Sequence, residues 1–357
     1  SPIQSMKALK YISCYVTPLL VAFSLLSSGL WTYFAMFILF VFFPFLELFL
    51  KASDQNLSQI EEEMALADKR YDVILYLLVP MQYGLLLLFL FQMQRTDLLT
   101  FERVGMILSM GAACGVIGIN AAHELGHRLT KFEQNLSKAL LLTSLYMHFF
   151  IEHNRGHHKY VSTDRDPASS RYGEWLYAFW LRSIIGSYFS AWKLEHERLS
   201  IVKKPFWSWH NEMLRFQIIQ LVFVMGIYFV FGLEPMLYFL LAAGMGILLL
   251  ETVNYIEHYG LRRKMKNGNY ERTLPIHSWN SNHPIGRLVL LELSRHSDHH
   301  YIASRKYQVL RHHDNSPQMP TGYPGMMILS FFPPLWFFVM HRKIANYKNT
   351  KEGSNLD

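Results

Sequence analysis

Nine histidines stand in four close clusters in a chain that is otherwise strongly apolar. The clusters are His123 and His127; His153, His157 and His158; His258; and His296, His299 and His300. Imidazole binds iron, zinc, copper and nickel, so grouped histidines predict a metal site. One catalytic zinc usually takes three protein ligands, and nine rings exceed that number. The clusters therefore predict two metal ions, with the element left open.

The spacing within the clusters is typical of chelation from a helix. His123 and His127 are four residues apart, so a helix would present both rings on one face. His153 and His157 repeat the four-residue step, and His296 and His299 are three residues apart. In each cluster the histidine that follows would reach a second ion or another side of the same one. Eight other histidines lack this arrangement and are expected at surface or interfacial positions: His148, His196, His210, His277, His283, His312, His313 and His341.

Carboxylates adjoin the clusters. Glu124 and Glu257 are next to histidines of the clusters, Asp298 lies inside the last one, and Asp166 follows the second. A metal-bound imidazole usually donates its other N–H group to such an acceptor, which fixes the orientation of the ring. These four residues are therefore predicted to orient ligands rather than to bind metal.

Long apolar segments position the clusters. A membrane-spanning helix needs roughly 20 mostly apolar residues, and 51% of the chain is hydrophobic while 17% is charged. Six segments qualify: 11–30, 31–50, 73–91, 104–122, 216–231 and 235–256. The predicted fold is an all-α integral membrane protein, a single domain of six transmembrane helices with a cap that carries the histidine clusters.

The predicted cap comprises residues 123–212 and 257–342, and a polar tail follows at 343–357. Three shorter apolar stretches, 136–151, 175–192 and 328–340, are interpreted as helices in the membrane interface. A full crossing by the first of them would place His123 and His153 on opposite faces of the membrane.

The positions of the basic residues predict the orientation. Only Arg95 and Arg103, of 34 Lys and Arg residues, fall in loops on one side. Positive loops stay cytoplasmic, so both termini and the clusters are expected in the cytoplasm. The net charge of +7 suits anionic lipid or an acidic partner better than nucleic acid. Cys14 and Cys114 lie within predicted spans, which argues against a disulfide framework or a thiolate metal site.

Two other functions are compatible with parts of the pattern. The run from His123 to His127 matches H-E-x-x-H, in which two histidines bind zinc and the glutamate acts as general base of a metalloprotease. That interpretation leaves the other clusters without a role. A metal transporter would place its site near the middle of the bilayer, whereas these clusters lie at its edge.

Four stretches carry a resemblance to a known family: His123-Glu124-Leu125-Gly126-His127, Glu152-His153-Asn154-Arg155-Gly156-His157-His158, Asn254-Tyr255-Ile256-Glu257-His258-Tyr259-Gly260 and Leu293-Ser294-Arg295-His296-Ser297-Asp298-His299-His300. They resemble the membrane-bound alkane 1-monooxygenases, non-haem di-iron enzymes among the histidine-box hydroxylases and desaturases. Arg128 and Ser294 depart from the family's common Lys and Gln, and neither is a predicted ligand.

The resemblance implies that the nine histidines hold two irons and that medium-chain n-alkanes are hydroxylated to 1-alkanols with O₂. It also implies electrons from rubredoxin, as a separate chain or a fused domain, with rubredoxin reductase upstream, and a place in the bacterial inner membrane. Related enzymes acting on fatty acyl or alkyl-aromatic substrates are the alternative. Arg262, Arg263, Lys264 and Lys266 are candidates for docking the donor, or equally for a positively charged anchor after the last span. Trp31, Phe34, Phe37, Phe40 and Phe43 could line a substrate tunnel, although lipid-facing or helix-packing positions are the more common use of such residues.

Overall fold

Six helices in the structure are long and apolar enough to cross a membrane. The structure is a computed structural model and describes residues 7–350. The helices, here called spans 1 to 6, are Lys7–Leu26, Gly29–Glu47, Arg70–Met93, Thr100–Gly126, Glu212–Phe231 and Leu233–His258. Within the described residues the only paired strands are Met265–Lys266 and Asn269–Tyr270. They form an antiparallel hairpin in which each strand has two residues. The prediction of an all-α membrane protein with six spans is confirmed.

Three spans change their helical pitch along their length. Span 1 is 3₁₀-helical at Lys10–Tyr15 and α-helical at Val16–Leu26. Span 2 comprises Gly29–Tyr33, Phe34–Phe37, a π-helical turn at Ile38–Phe42, and Phe43–Glu47. Span 4 comprises Thr100–Ala113, a π-helical stretch at Cys114–Ile119, and Asn120–Gly126. Single π-helical turns within α-helices occur often at functional sites, and the one in span 4 directly precedes the turn that carries His123.

Further helices lie outside the six spans, and one of them, Leu176–Ile201, is as long as span 6. They are Gln59–Ala67, Lys131–Leu142, Phe149–Ile151, the π-helix Glu152–His157, His158–Tyr160, Leu176–Ile201, Pro275–His277, Pro284–Val289, His296–Tyr301, Tyr307–Val309, Tyr323–Ser330 and Pro333–Lys348. Pro333 and Pro334 begin the last helix, where a missing N–H group costs nothing. That helix extends to Lys348 and so includes the start of the predicted polar tail; residues 351–357 lie outside the described part of the chain.

Span 4 packs closely against span 6 through small residues. A Cβ atom at Gly246 would lie 2.6 Å from the Cβ atom of Cys114, and one at Gly115 would lie 3.0 Å from the Cβ atom of Leu249. Small residues let two helices in a membrane approach until their backbones touch. This contact holds the histidines at the ends of the two spans at a fixed separation.

A buried charge network connects the spans to the segment after the last histidine cluster. Arg128 donates to Asp72 of span 3 and to Glu124 of span 4, each at 2.9 Å. Lys306 also donates to Asp72, at 3.0 Å, and the Tyr307 backbone N–H group donates to Glu124 at 3.1 Å. Because these carboxylates are buried, their pairing fixes how the segment sits against the membrane helices.

Candidate metal centre

The structure brings all nine histidines of the four clusters together, in two adjacent groups. The five-histidine group contains His123, His127, His153, His158 and His299, and the four-histidine group contains His157, His258, His296 and His300. Within each group, one nitrogen of every ring lies within 4.8 Å of the corresponding nitrogens of the others. The groups adjoin, since the ring centroids of His158 and His300 are 4.4 Å apart. None of the other eight histidines belongs to either group.

The π-helix Glu152–His157 divides the second cluster between the two groups. Its hydrogen bonds join residues five apart rather than four, so His153 and His158 lie on the same side, with their Nε2 atoms 3.1 Å apart. His157 instead faces the four-histidine group, where its Nε2 atom lies 3.2 Å from that of His300. The four-residue spacing of His153 and His157 therefore does not form a chelating pair, although the same spacing does so for His123 and His127.

The helix His296–Tyr301 also serves both groups. His296 and His300 are four residues apart and share one face, with ring centroids separated by 4.4 Å. His299 points to the other side, where its Nε2 atom lies 2.9 Å from that of His123. His258, the last residue of span 6, completes the four-histidine group and is fully buried.

The ring nitrogens converge in a way that suits a cation. The Nε2 atom of His153 lies 3.1 Å from that of His127, and the Nε2 atom of His299 lies 3.1 Å from that of His158. A neutral imidazole has one N–H donor and one lone pair, so several nitrogens directed at one point cannot all pair with each other. Burial, together with the charge of His157, lowers the pKa of His127 to about 3. The neutral rings present lone pairs, which is the form that binds metal.

Two of the four predicted carboxylates contact rings of the groups. Asp166 accepts a hydrogen bond from the Nδ1 atom of His157 at 2.7 Å, and it is held by Ser169 and by the Ala168 N–H group. Burial raises the pKa of Asp166, but His157 and Ser169 outweigh it and bring the pKa below its ordinary value. Glu257 instead contacts an inward-facing ring nitrogen. Its carboxylate lies 3.1 Å from the Nε2 atom of His296, which faces the other rings of the group.

The other two carboxylates contact no ring of either group through a described hydrogen bond. Glu124 pairs with Arg128 and accepts from the Tyr307 N–H group. Asp298 accepts from the His313 Nε2 atom at 2.7 Å and from the Arg311 N–H group at 2.9 Å. Both carboxylates therefore connect the helices that carry histidines to the segment 305–313, rather than orienting a ligand directly as the sequence suggested.

An apolar cavity reaches rings of both groups. It has about 840 Å³ of unfilled space, including its open part, and His123, His153 and His296 are among its lining residues. Most of its other lining is aliphatic or aromatic: Leu39, Phe40, Phe43, Val116, Ile119, Phe149, Leu249, Leu250, Val253, Ile285, Val289, Leu290, Leu293 and Met327. Of the aromatic residues proposed for a tunnel, Phe40 and Phe43 are lining residues. Trp31 and Phe37 are more than half exposed on the outside of the helix.

A second and much smaller cavity, the polar cavity, borders His153 and is named for the titratable side chains in its lining. Tyr146, His148, Glu152, Glu251, Ser187 and Asn254 line it together with His153 and His157. Burial raises the pKa of Glu152 to about 8. Sequence reasoning missed Glu251, although an acidic residue inside an apolar span is itself a signal of a functional position.

The basic residues proposed for docking the electron donor differ in their exposure to solvent. Arg263 is buried, and its guanidinium donates to the backbone oxygens of Lys159, Val161 and Glu271. Lys266 is exposed, and Arg262 lies 3.8 Å from Asp164. Arg263 therefore has a structural role, and this part of the docking hypothesis is wrong.

Six spans and two adjoining groups of histidines define a class of membrane protein with a histidine-lined centre at the ends of its helices. The chain belongs to the fatty acid desaturase family, whose sequence profile matches residues 102–330, and within it to the alkane 1-monooxygenases. It is 48% identical to alkane 1-monooxygenase 2 of Pseudomonas aeruginosa over 246 residues, which is 69% of this chain and 65% of that protein. The resemblance stated from the motifs is confirmed.

Other relatives extend the match. Alkane 1-monooxygenase of Acinetobacter baylyi is 38% identical over 321 residues, 89% of this chain and 78% of that protein. Xylene/toluene monooxygenase hydroxylase component XylM of Pseudomonas putida is 28% identical over 271 residues, 74% of this chain and 72% of that protein. The chain spans slightly less than two thirds of the length of the Pseudomonas aeruginosa protein.

Proposed function

We propose that the protein hydroxylates the terminal carbon of medium-chain n-alkanes with O₂, at two irons held by the nine histidines. The observation that carries the proposal is the apolar cavity whose lining includes His123, His153 and His296, because it would bring a hydrocarbon to rings of both groups. The names of relatives that are 38–48% identical support this activity. The five-histidine group would hold one iron and the four-histidine group the other.

The chain's own residues suit this reaction. Overall, R–CH₃ + O₂ + 2e⁻ + 2H⁺ gives R–CH₂OH + H₂O, and iron when bound would supply the one-electron chemistry that activates O₂. The rings keep neutral nitrogens directed inward, and Asp166 fixes the orientation of His157. The aliphatic wall of the cavity excludes water and leads the alkane from the bilayer, where it is concentrated, to the centre.

The lining of the cavity distinguishes substrate classes. No Lys or Arg of residues 7–350 lines it, and its polar groups other than histidine are Asn120, Asn254 and Glu257. A cationic side chain would bind the carboxylate of a fatty acid, and this lining has none, so it favours a hydrocarbon. The similarity to a xylene/toluene monooxygenase component keeps alkyl-aromatic substrates as the second candidate.

The electrons would come from rubredoxin, which is reduced by its reductase and docks on the exposed Lys266 and the partly exposed Arg262 and Lys264. We place the site in the bacterial inner membrane, with both termini and the histidines on the cytoplasmic side. Reversing the charge of Arg262 and Lys266 is expected to weaken donor-dependent turnover and to reduce its sensitivity to salt. Unchanged turnover and salt dependence would contradict the docking site.

The test of the function combines metal content with product analysis. Detergent-purified protein is expected to contain about two irons per chain and to form 1-octanol from octane with rubredoxin, its reductase and NADH. The variant Val253→Phe, which narrows the cavity, is expected to reduce octane oxidation more than oxidation of a shorter alkane, while Ile218→Phe on the exposed face of span 5 serves as control. One zinc per chain and no alcohol would contradict the proposal and favour the metalloprotease.

A further inference from the structure

The most unusual group outside the two histidine groups is a carboxyl within a spanning helix. Glu251 lies seven residues before the end of span 6, about 10 Å along the helix axis from His258. It is 1% exposed, and no described Lys, Arg or His forms an ion pair with it. An ionisable residue inside a membrane span is costly and generally has a function.

We propose that Glu251 carries protons from the cytoplasm to the metal centre through the polar cavity, on a path separate from the substrate cavity. The inference rests on the proposed function, because that reaction consumes two protons for each O₂. Each proton would pass from water through the carboxyl of Glu251 and end in the water formed with the alcohol. The two electrons come from the protein donor, so atoms and charge balance without a further reactant.

The surroundings of Glu251 are those of a proton carrier rather than of a structural ion pair. The Tyr146 hydroxyl donates to Oε1 at 3.0 Å, and Ser183 and Asn254 lie near the carboxyl. The titratable groups around it are Tyr146, Glu152 and His157, and no cationic side chain of the described chain compensates a negative charge there. A buried carboxyl of this kind is most stable when it holds a proton that it can pass on.

The polar cavity contains enough hydrogen-bonding groups to order water. Oε2 of Glu251, both carboxyl oxygens of Glu152 and Nε2 of His148 are buried and have no protein partner among the described residues. Ordered water commonly satisfies buried polar atoms of this kind. The cavity has room for about one such molecule, which would bridge Glu251 to the side of the centre formed by His153 and His157.

A partition separates this cavity from the apolar one. Phe149, His153 and Asn254 belong to the linings of both, so they form the shared wall. Protons need hydrogen-bonded water, whereas the hydrocarbon requires that water be excluded, and one opening cannot provide both. The polar cavity would carry the protons and the apolar cavity the hydrocarbon, on opposite sides of this wall.

Partly exposed residues lie near Glu152, which lines the polar cavity. They are Ser190 of the helix Leu176–Ile201 and Arg155, whose guanidinium pairs with Glu195. The apolar cavity, in contrast, borders spans 2, 4 and 6. Protons would therefore enter beside Ser190 and reach Glu251 without crossing the hydrocarbon path.

The first test needs no turnover. Infrared spectra of the purified full chain are recorded in H₂O and in D₂O for the wild type and for Glu251→Gln. We expect the difference between the two proteins to contain the band of a protonated carboxyl that shifts in D₂O. Glu234→Gln, an exposed residue at the other end of span 6, is the control and should retain the band. Absence of the band, or a band that does not shift after exchange, would overturn the proposal.

The second test measures product. Glu251→Gln is expected to form alcohol on the order of 100-fold more slowly, with a larger solvent isotope effect, and Glu251→Asp should restore part of the rate. Iron content and alkane binding should stay unchanged. Loss of iron in the Gln variant, or an unchanged rate, would overturn the role in proton delivery. If the wild type hydroxylates no alkane, the proposed function fails and this role with it, whereas the infrared exchange would still report a carboxyl in contact with solvent.

Discussion

At the scale of single residues, the two carboxylates that contact the histidine groups have different positions and therefore different roles. Asp166 lies behind His157, on the Nδ1 atom that faces away from the group. Glu257 lies beside the inward Nε2 atom of His296 and is held there by the Tyr323 hydroxyl at 2.8 Å. Asp166 is thus placed where it would orient His157, and we propose this role for it, whereas Glu257 borders the space in which a cation and the substrate would meet.

We predict that Asp166→Asn lowers iron affinity without unfolding the protein. The amide would keep the size of the side chain but would lose the charge that makes His157 a better ligand, and such changes typically cost 10–100-fold in metal affinity. The measurement is a competition titration of the purified protein with a metal chelator. Asp164→Asn, at an exposed side chain two residues earlier, is the matched control. Equal affinities of the two variants would show that Asp166 does not orient the ligand.

At the scale of elements, the π-helix Glu152–His157 decides which histidines act together. Its extra residue per turn directs His153 and His158 into one group and His157 into the other. We predict that deletion of Asn154 converts this turn to α-helical spacing and abolishes iron binding, while the six spans remain folded. Asn154→Ala keeps the length of the segment and should retain most of the iron. Metal analysis with helical content from circular dichroism separates these outcomes, and full iron content in the deletion variant would refute the prediction.

The same element shows what the sequence could and could not predict. The six spans followed from hydropathy, because a lipid environment requires long apolar helices, and the histidine clusters marked the site. The division of His153, His157 and His158 did not follow, because an α-helix and a π-helix share similar composition and differ only in register. Asp298 and Glu124 both form hydrogen bonds with segment 305–313. Sequence patterns did not show that this segment folds against the helices that carry the histidines. Glu251 could have been recognised in the sequence as an isolated acidic residue in a span. Its hydrogen bond with Tyr146 could be found only in the structure.

At the scale of the whole molecule, the buried network around Arg128 connects the histidine-bearing side to the spans. Removing its charge leaves Asp72 and Glu124 buried with fewer partners, and breaking a buried ion pair in this way costs about 3–5 kcal/mol. We predict that Arg128→Met lowers the midpoint of thermal unfolding in detergent and loosens the binding of metal. Arg70→Met, which removes a surface pair with Asp68, should change the midpoint little. Similar midpoints for the two variants would mean that the network does not stabilise the assembly.

The orientation in the membrane is a property of the whole chain, and cysteine labelling tests it directly. The chain has two cysteines, Cys14 and Cys114, and both are buried, so a membrane-impermeant thiol reagent should leave the native protein unmodified. Asp97 lies between spans 3 and 4, and Lys266 lies in the hairpin after span 6. Because the basic residues concentrate on the side of the histidines, Asp97→Cys should react in intact bacterial cells. Lys266→Cys should react only after the membrane is opened. The reverse pattern would place the histidines outside the cytoplasm, away from soluble electron donors, and would contradict both the orientation and the proposed docking of rubredoxin.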